Sequence, residues 1–330
     1  MTRKHLPLLI LAFLALVRVV LSDLSDKRTN DGFTLPVVKK INARIVQQTH
    51  GVLPSIHADL LLGMTIGVNE IKNDKMFYDN LVQVGLIHVV VVSGYNVALV
   101  IKFISGIFFD RLKSRNKFLL FAGVVLYALL CGLQPPVIRA ALMGYISYLA
   151  MTEGRKVDCL SLILVICFVM ILIYPRYIVS LSFWLSVNAT LGLIFFEPPI
   201  SALFKRIKFP LFDDLATSLA CQIAVWPIIS YFFGRVSIIS PLYNMASLWL
   251  VPLCTISGFI FIFISQLFPF LAPLMGLIVF PFFDMFVRIV KFFAGVDIGN
   301  VDLKLNLVVF VVYYVVLIVV AWRLRRVENR

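Results

Sequence analysis

Apolar runs long enough to cross a bilayer recur from one end of this chain to the other. Each is close to the roughly 20 residues that a helix needs to span the hydrocarbon core. Inside that core every backbone amide must bond within its own segment, so such runs are read as helices. Spans are expected at roughly 86–109, 117–134, 135–151, 157–174, 178–197, 215–233, 238–264, 271–293 and 305–322. With an N-terminal anchor this makes an all-α polytopic integral membrane protein of about ten membrane-spanning or re-entrant helices. Composition agrees, because 61% of the 330 residues are hydrophobic and 14% charged, and the apolar runs leave no stretch for a soluble domain of ordinary size.

Three segments follow. Leu6 to Leu21 is short, stands behind Arg3 and Lys4, is interrupted by Arg18 and is not followed by an A-x-A site. Residues 1–21 are therefore read as an uncleaved membrane anchor. Residues 22–52 form a short external polar segment whose alternating patch FTLPVVKKINARIV predicts a strand or two. Residues 53–330 are the membrane domain. Within it ADLLLGMTIGV is only half a span and is expected to dip into the bilayer or pack on the bundle. Lys72 to Val84 reads as an amphipathic interfacial helix with Met76, Phe77, Leu81 and Val84 turned to lipid. The two short spans flanking Pro135 and Pro136 also fit a re-entrant hairpin.

If every span crosses, the basic loops Arg111/Lys113/Arg115/Lys117, Arg155/Lys156 and Lys205/Arg206/Lys208 share one side with Arg323, Arg325 and Arg326. The concentration of Lys and Arg on cytoplasmic loops then makes both termini cytoplasmic. It also accounts for the formal charge of +13 without any polyanionic partner. Cys131, Cys159, Cys167, Cys221 and Cys254 form no CxxC and are read as apolar packing residues. His5, His50, His57 and His88 form neither HxH nor HExxH, and no phosphate-loop motif is present. No metal, cofactor or catalytic activity is expected.

Polar side chains at membrane depth need a partner, water or a task. His88, Ser93 and Asn96 fall within an arc of about 140° if their segment is helical throughout. Four valines before Ser93 and Gly94 equally fit a broken helix lining a cavity. Ser182, Ser186 and Thr190 recur at i, i+4 and i+8, a stripe suited to tight helix packing or to a pore wall. Arg139 lies just inside a span, where it either snorkels to the interface or offers buried guanidinium donors to phosphate. Asp284 and Arg288 are spaced to pair on one helix, and Gln222, Trp226 and Asn244 complete the polar set.

The blocks GLIHVVVVSGYNVALV, GLQPPVIRAALMGYISYLAMTEGRKVD and SFWLSVNATLGLIF, in this order, resemble successive signatures of the ComEC-type competence domain. HADLLLGMTIG upstream and CQIAVWPIISYFFGRVSIISPLYNMASLWLVPL downstream extend the resemblance to roughly Leu53 through Lys291. It implies that 53–330 is a channel domain in the bacterial cytoplasmic (inner) membrane, passing single-stranded DNA into the cytoplasm during DNA uptake. It further implies a path formed by His88, Ser93, Gly94, Asn96, Arg139, Ser182, Ser186 and Thr190, with Arg139 on a phosphate. An external DNA receptor, a cytoplasmic helicase-like ATPase and a homodimer are the partners it implies, besides membrane lipid.

Family members commonly carry His where this chain has Asn96 and Gln where it has Trp184, which puts transport detail at those two positions in question. The oligonucleotide-binding and metallo-β-lactamase-like domains of full-length relatives are not expected in this chain, so nuclease activity is not carried over. Rival readings are a secondary transporter of a small solute or ion and a non-transporting membrane scaffold. A membrane enzyme ranks behind both, since no nucleophile stands near a base.

Overall fold

Helices make up nearly all of the described part of the chain. The computed structural model describes residues 36–68, 70–90, 93–108, 115–204, 211–296 and 299–328. The expected anchor at 1–21 lies outside these residues, as do Arg111, Lys113, Lys205, Arg206 and Lys208 of the basic loops. Two compact units are formed, Met1–Val38 with Gly94–Val187, and Lys39–Ser93 with Asn188–Arg330.

The first unit is built on α5 (Gly94–Phe108), α6 (Arg115–Leu130), α7 (Pro135–Thr152) and α8 (Cys159–Ile173), followed by a 3₁₀ turn at Pro175–Val179 and the start of α9 (Leu181–Phe204). Helices α5, α6 and α7 pack on one another and α8 packs on α7. Gly123 on α6 and Gly144 on α7 admit Ile104 and Ile101 of α5; a methyl group on Gly123 would stand 2.6 Å from Ile104 Cδ1. The α6–α7 turn passes through left-handed backbone at Gly132 (φ 74°) and Leu133 (φ 53°). Pro135 then starts α7, where its missing N–H costs nothing. With 16 residues, α6 is about 24 Å long, short of the roughly 30 Å hydrocarbon core. At the far end of this pair Lys117 Nζ lies 3.1 Å from Glu153 Oε1 and holds that carboxyl below its usual range.

The second unit contains α1 (Pro36–His50, from Lys39 onward), α2 (Ser55–Ile66), α3 (Lys75–Val84), α4 (Ile87–Val90), the rest of α9, α10 (Leu211–Phe233), α11 (Ser240–Ser247), α12 (Val251–Leu267), α13 (Ala272–Val296) and α14 (Leu307–Glu328). A two-stranded antiparallel ribbon, β1 (Arg235–Ser237) with β2 (Asn300–Asp302), pairs Val236 with Val301. The core lies among α2, α3, α12 and α13, where Leu60, Leu61, Met64, Phe77, Leu81, Phe261, Phe283 and Phe286 are buried. Every residue from Ala58 to Ile66 is buried, so ADLLLGMTIGV packs within the bundle. Gly258 lets α12 close on α2, because a Cβ there would come within 2.8 Å of Thr65.

Helix α10 carries Pro227 in its interior. Proline cannot donate to the carbonyl four residues earlier, which leaves Ile223 O without its helical partner. The Tyr313 hydroxyl of α14 donates to Ile223 O at 3.0 Å and so supplies the missing donor, and the neighbouring Tyr314 hydroxyl donates to Ala224 O at 2.9 Å.

Two expectations are corrected. The FTLPVVKKINARIV patch supplies no strand in its described part: Pro36 to His50 is α-helix, with Val38, Ile45 and Thr49 buried at helical spacing and Ile45 packed on Leu62 and Ile66. The amphipathic helix at Lys75–Val84 exists, but Phe77, Leu81 and Val84 enter the protein core against α13; of the four residues assigned to lipid, Met76 alone is strongly exposed. The period of an apolar stripe records that the face is dry without identifying what dries it.

Six stretches are long and apolar enough to cross a membrane among the described residues: Leu181–Phe204, Phe212–Phe233, Ser240–Leu267, Pro269–Val296, Leu307–Leu324 and Ile87–Gly106, the last of which is interrupted at Ser93 and runs over residues 91–92, which are not described. Ser55–Ile66, Lys117–Leu130 and Cys159–Ile173 are apolar but shorter. The chain is thus a multi-pass α-helical membrane protein.

Candidate functional site

Arg139 sits one turn into α7, behind the two prolines that begin the helix, and is 9% exposed. Its Nε donates to Ser186 Oγ at 2.8 Å, and its Nη1 faces Met143 Sδ at 3.4 Å, one turn along the same helix. Both of these side chains help to orient the guanidinium. Gly94, the first residue of α5, lies beside it: a Cβ on Gly94 would be 3.4 Å from Ala140 Cβ and 3.7 Å from Arg139 Nη2. Asn96 follows within the first turn of α5 and is completely buried. Of the residues expected to line a path, Gly94, Arg139 and Ser186 are therefore brought together within one unit. The interface-snorkelling alternative for Arg139 gives way to the buried one.

Ser182 begins the hydroxyl stripe on α9 and is exposed, Ser186 is half-buried and Thr190 is buried. The stripe is real as helical geometry, while its members meet different surroundings. Trp184 is 42% exposed, and its indole N–H donates to Ile178 O at 2.7 Å. His88 is on α4 and exposed, whereas Ser93 is half-buried and outside any helix. His88, Ser93 and Asn96 accordingly do not share one described helix, and the reading as a continuous 140° arc is replaced by helical pieces on either side of Ser93.

In the second unit, Arg288 Nε meets Asp284 Oδ2 at 2.6 Å, the pairing expected from their spacing. His57 adds a contact that sequence could not suggest, with Nε2 3.4 Å from Asp284 Oδ1. Gln222 Nε2 donates to Ser237 O at 2.8 Å, and Asn244 Nδ2 donates to Ser218 Oγ at 2.6 Å. These polar groups are consumed in joining helices. A further cluster went unnoticed in the sequence: His50 Nε2 stands 3.1 Å from Asp59 Oδ1 and 3.2 Å from Glu70 Oε2. The ligand-like residues come from a helix end, a helix interior and a turn, so no sequence motif announces them.

Comparison with known proteins bears on the whole chain. ComE operon protein 3 of Bacillus subtilis (strain 168) is 26% identical over 275 residues, covering 80% of this chain and 34% of that protein. An uncharacterized protein of Aquifex aeolicus (strain VF5) is 37% identical over 113 residues, 33% of this chain and 26% of its own length. The chain thus spans about a third or less of each of these relatives. No solved structure matches. The Competence protein family model matches residues 64–327, which include every one of the path residues considered above, and the chain belongs to that family as a ComEC-type competence protein.

Proposed function

We propose that this chain is a membrane channel that passes single-stranded DNA into the cytoplasm during DNA uptake. The observation that carries the reading is Arg139, a guanidinium buried at the head of α7 and oriented by Ser186 beside the side-chain-free Gly94. A strand in transit presents one phosphate after another. A planar, cationic donor fork attracts each in turn without reading bases. Arg139 acts as a phosphate contact, and Asn96, Ser182, Ser186, Thr190, His88 and Ser93 supply hydrogen bonds along the route. The chain itself catalyses no reaction; an external DNA receptor delivers the duplex-derived strand and a helicase-like ATPase inside draws it through. The protein resides in the cytoplasmic membrane of a bacterium, with about ten spans when the shorter apolar helices are counted as crossing or re-entrant, and with both termini inside.

A secondary transporter would rely on an ionisable carboxylate at membrane depth. Asp284 is bonded to both Arg288 and His57, which argues against that use.

Deleting the encoding gene and following labelled double-stranded DNA into a nuclease-resistant cytoplasmic pool tests the proposal. Uptake is expected to vanish, to return with the wild-type gene and to stay low with Arg139→Ala. Normal uptake in the deletion strain would refute it and move the transporter and scaffold readings forward.

A further inference from the structure

The cluster at His50, Asp59 and Glu70 lies outside everything the DNA path uses. One ligand atom from each of the three residues lies within 4.8 Å of the other two. The positions are set by the fold. Helix α1 ends at His50, and its last turn is fastened to α12 by Gln48, whose Nε2 donates to Ser265 O and whose Oε1 accepts from Gln266 Nε2, both at 2.5 Å. The turn after His50 closes with Leu53 N on Thr49 O at 2.9 Å, and Asp59 follows in the interior of the buried helix α2. Glu70 is held where Asn73 N bonds its carbonyl at 2.9 Å.

Protons alone do not satisfy this arrangement. Asp59 is 5% exposed, and its Oδ1 is buried without a hydrogen-bond partner. His50 Nε2 can carry a single proton, which points along one direction in the ring plane. Glu70 Oε2 at 3.2 Å and Asp59 Oδ1 at 3.1 Å both stand against that one nitrogen, so a single proton cannot serve both carboxylates fully. Two carboxylates thus face one imidazole nitrogen.

We infer that His50, Asp59 and Glu70 bind a divalent transition-metal ion of the zinc class. One imidazole nitrogen and two carboxylate oxygens suit such an ion, whereas calcium and magnesium favour all-oxygen shells. Metal–ligand bonds of about 2.0–2.1 Å at tetrahedral angles separate ligand atoms by about 3.3 Å, close to the spacing found around His50 Nε2. The metal gives Asp59 Oδ1 its partner and ties the end of α1 to α2 and to the turn at Ile71–Asn73. The side chains of His50 and Glu70 are 32% and 37% exposed, so the ion arrives from solvent and keeps a water as its remaining ligand.

The test uses the full chain in detergent micelles, stripped of metal and with the exposed thiol of Cys159 alkylated. It is dialysed against Zn²⁺, and bound metal is counted by mass spectrometry. About one Zn²⁺ per chain is expected, with His50→Ala and Glu70→Gln each weakening binding on the order of tenfold or more. Zn²⁺ should also raise the thermal midpoint of the wild type and leave that of Glu70→Gln unmoved. Because Glu70 is a surface residue, that variant is expected to fold even if Asp59→Asn does not. Failure of the wild type to bind Zn²⁺, or binding by both variants as tight as that of the wild type, overturns the inference; in either case the cluster is a proton-bonded histidine–carboxylate contact.

Discussion

Two kinds of polar residue lie at membrane depth here, and they are distinguished by what their partners do to them. Asp284 with Arg288 and His57, Asn244 with Ser218, and Gln222 with Ser237 are engaged in holding helices together. The hydroxyls of Tyr313 and Tyr314 belong to this group, because they bond carbonyls beside the proline of α10. Replacing Tyr313 with Phe removes one such donor and should lower stability by about 1 kcal/mol, read as a lower thermal midpoint in detergent with DNA uptake retained. Arg139 is different in kind, a guanidinium buried at the head of α7 and oriented by Ser186 and Met143. Arg139→Lys should therefore keep part of the uptake that Arg139→Ala loses, because an ammonium preserves the charge but not the planar fork. At this scale the sequence was informative about residue type and depth. It was uninformative about contacts such as His57 with Asp284, or His50 with Asp59 and Glu70, because they join separate elements.

Among the elements, α2 and α3 show where pattern reading stops. The amphipathic character of Lys75–Val84 is plain in the sequence, yet its apolar face is covered by α13 and not by lipid. An apolar partner and an acyl chain dry a helix equally well, so hydropathy cannot separate them. Leu81→Ala should then behave as a core truncation, costing about 2–5 kcal/mol, where a lipid-facing leucine would cost little; unfolding of the purified variant in detergent distinguishes the two. The patch at the start of α1 failed for another reason. Val37, Val38, Ile41, Ile45 and Val46 satisfy a helical stripe as well as a broken alternation, and Pro36 is well suited to begin a helix. Glycine supplies a related test. Gly192 of α9 packs directly on the backbone at Ala220 and on Ala224 of α10. Gly192→Leu should force these helices apart and cost about 1–3 kcal/mol or more, seen as reduced membrane accumulation and a lower thermal midpoint. Tight packing was expected of the stripe at Ser182, Ser186 and Thr190, whereas this close contact is made by Gly192, and its partner helix was not legible.

For the molecule as a whole, the helical membrane class was legible from apolar run length alone, since hydrocarbon leaves the backbone so few alternatives. The number of crossings was less legible: among the described residues six stretches have full span length, while Ser55–Ile66, Lys117–Leu130 and Cys159–Ile173 fall short of it. A reporter fused after α14 should be active on the cytoplasmic side if both termini are inside. Membership of the competence protein family rests on a match that runs from residue 64 to residue 327. The most direct measurement places a photo-crosslinking residue at Ser182, which is exposed on α9, and another at Ile318, which is 64% exposed on α14, in cells taking up labelled DNA. The account predicts a labelled DNA adduct at position 182 and none at position 318. Absence of any adduct at 182 while uptake proceeds normally would contradict passage of DNA along this path.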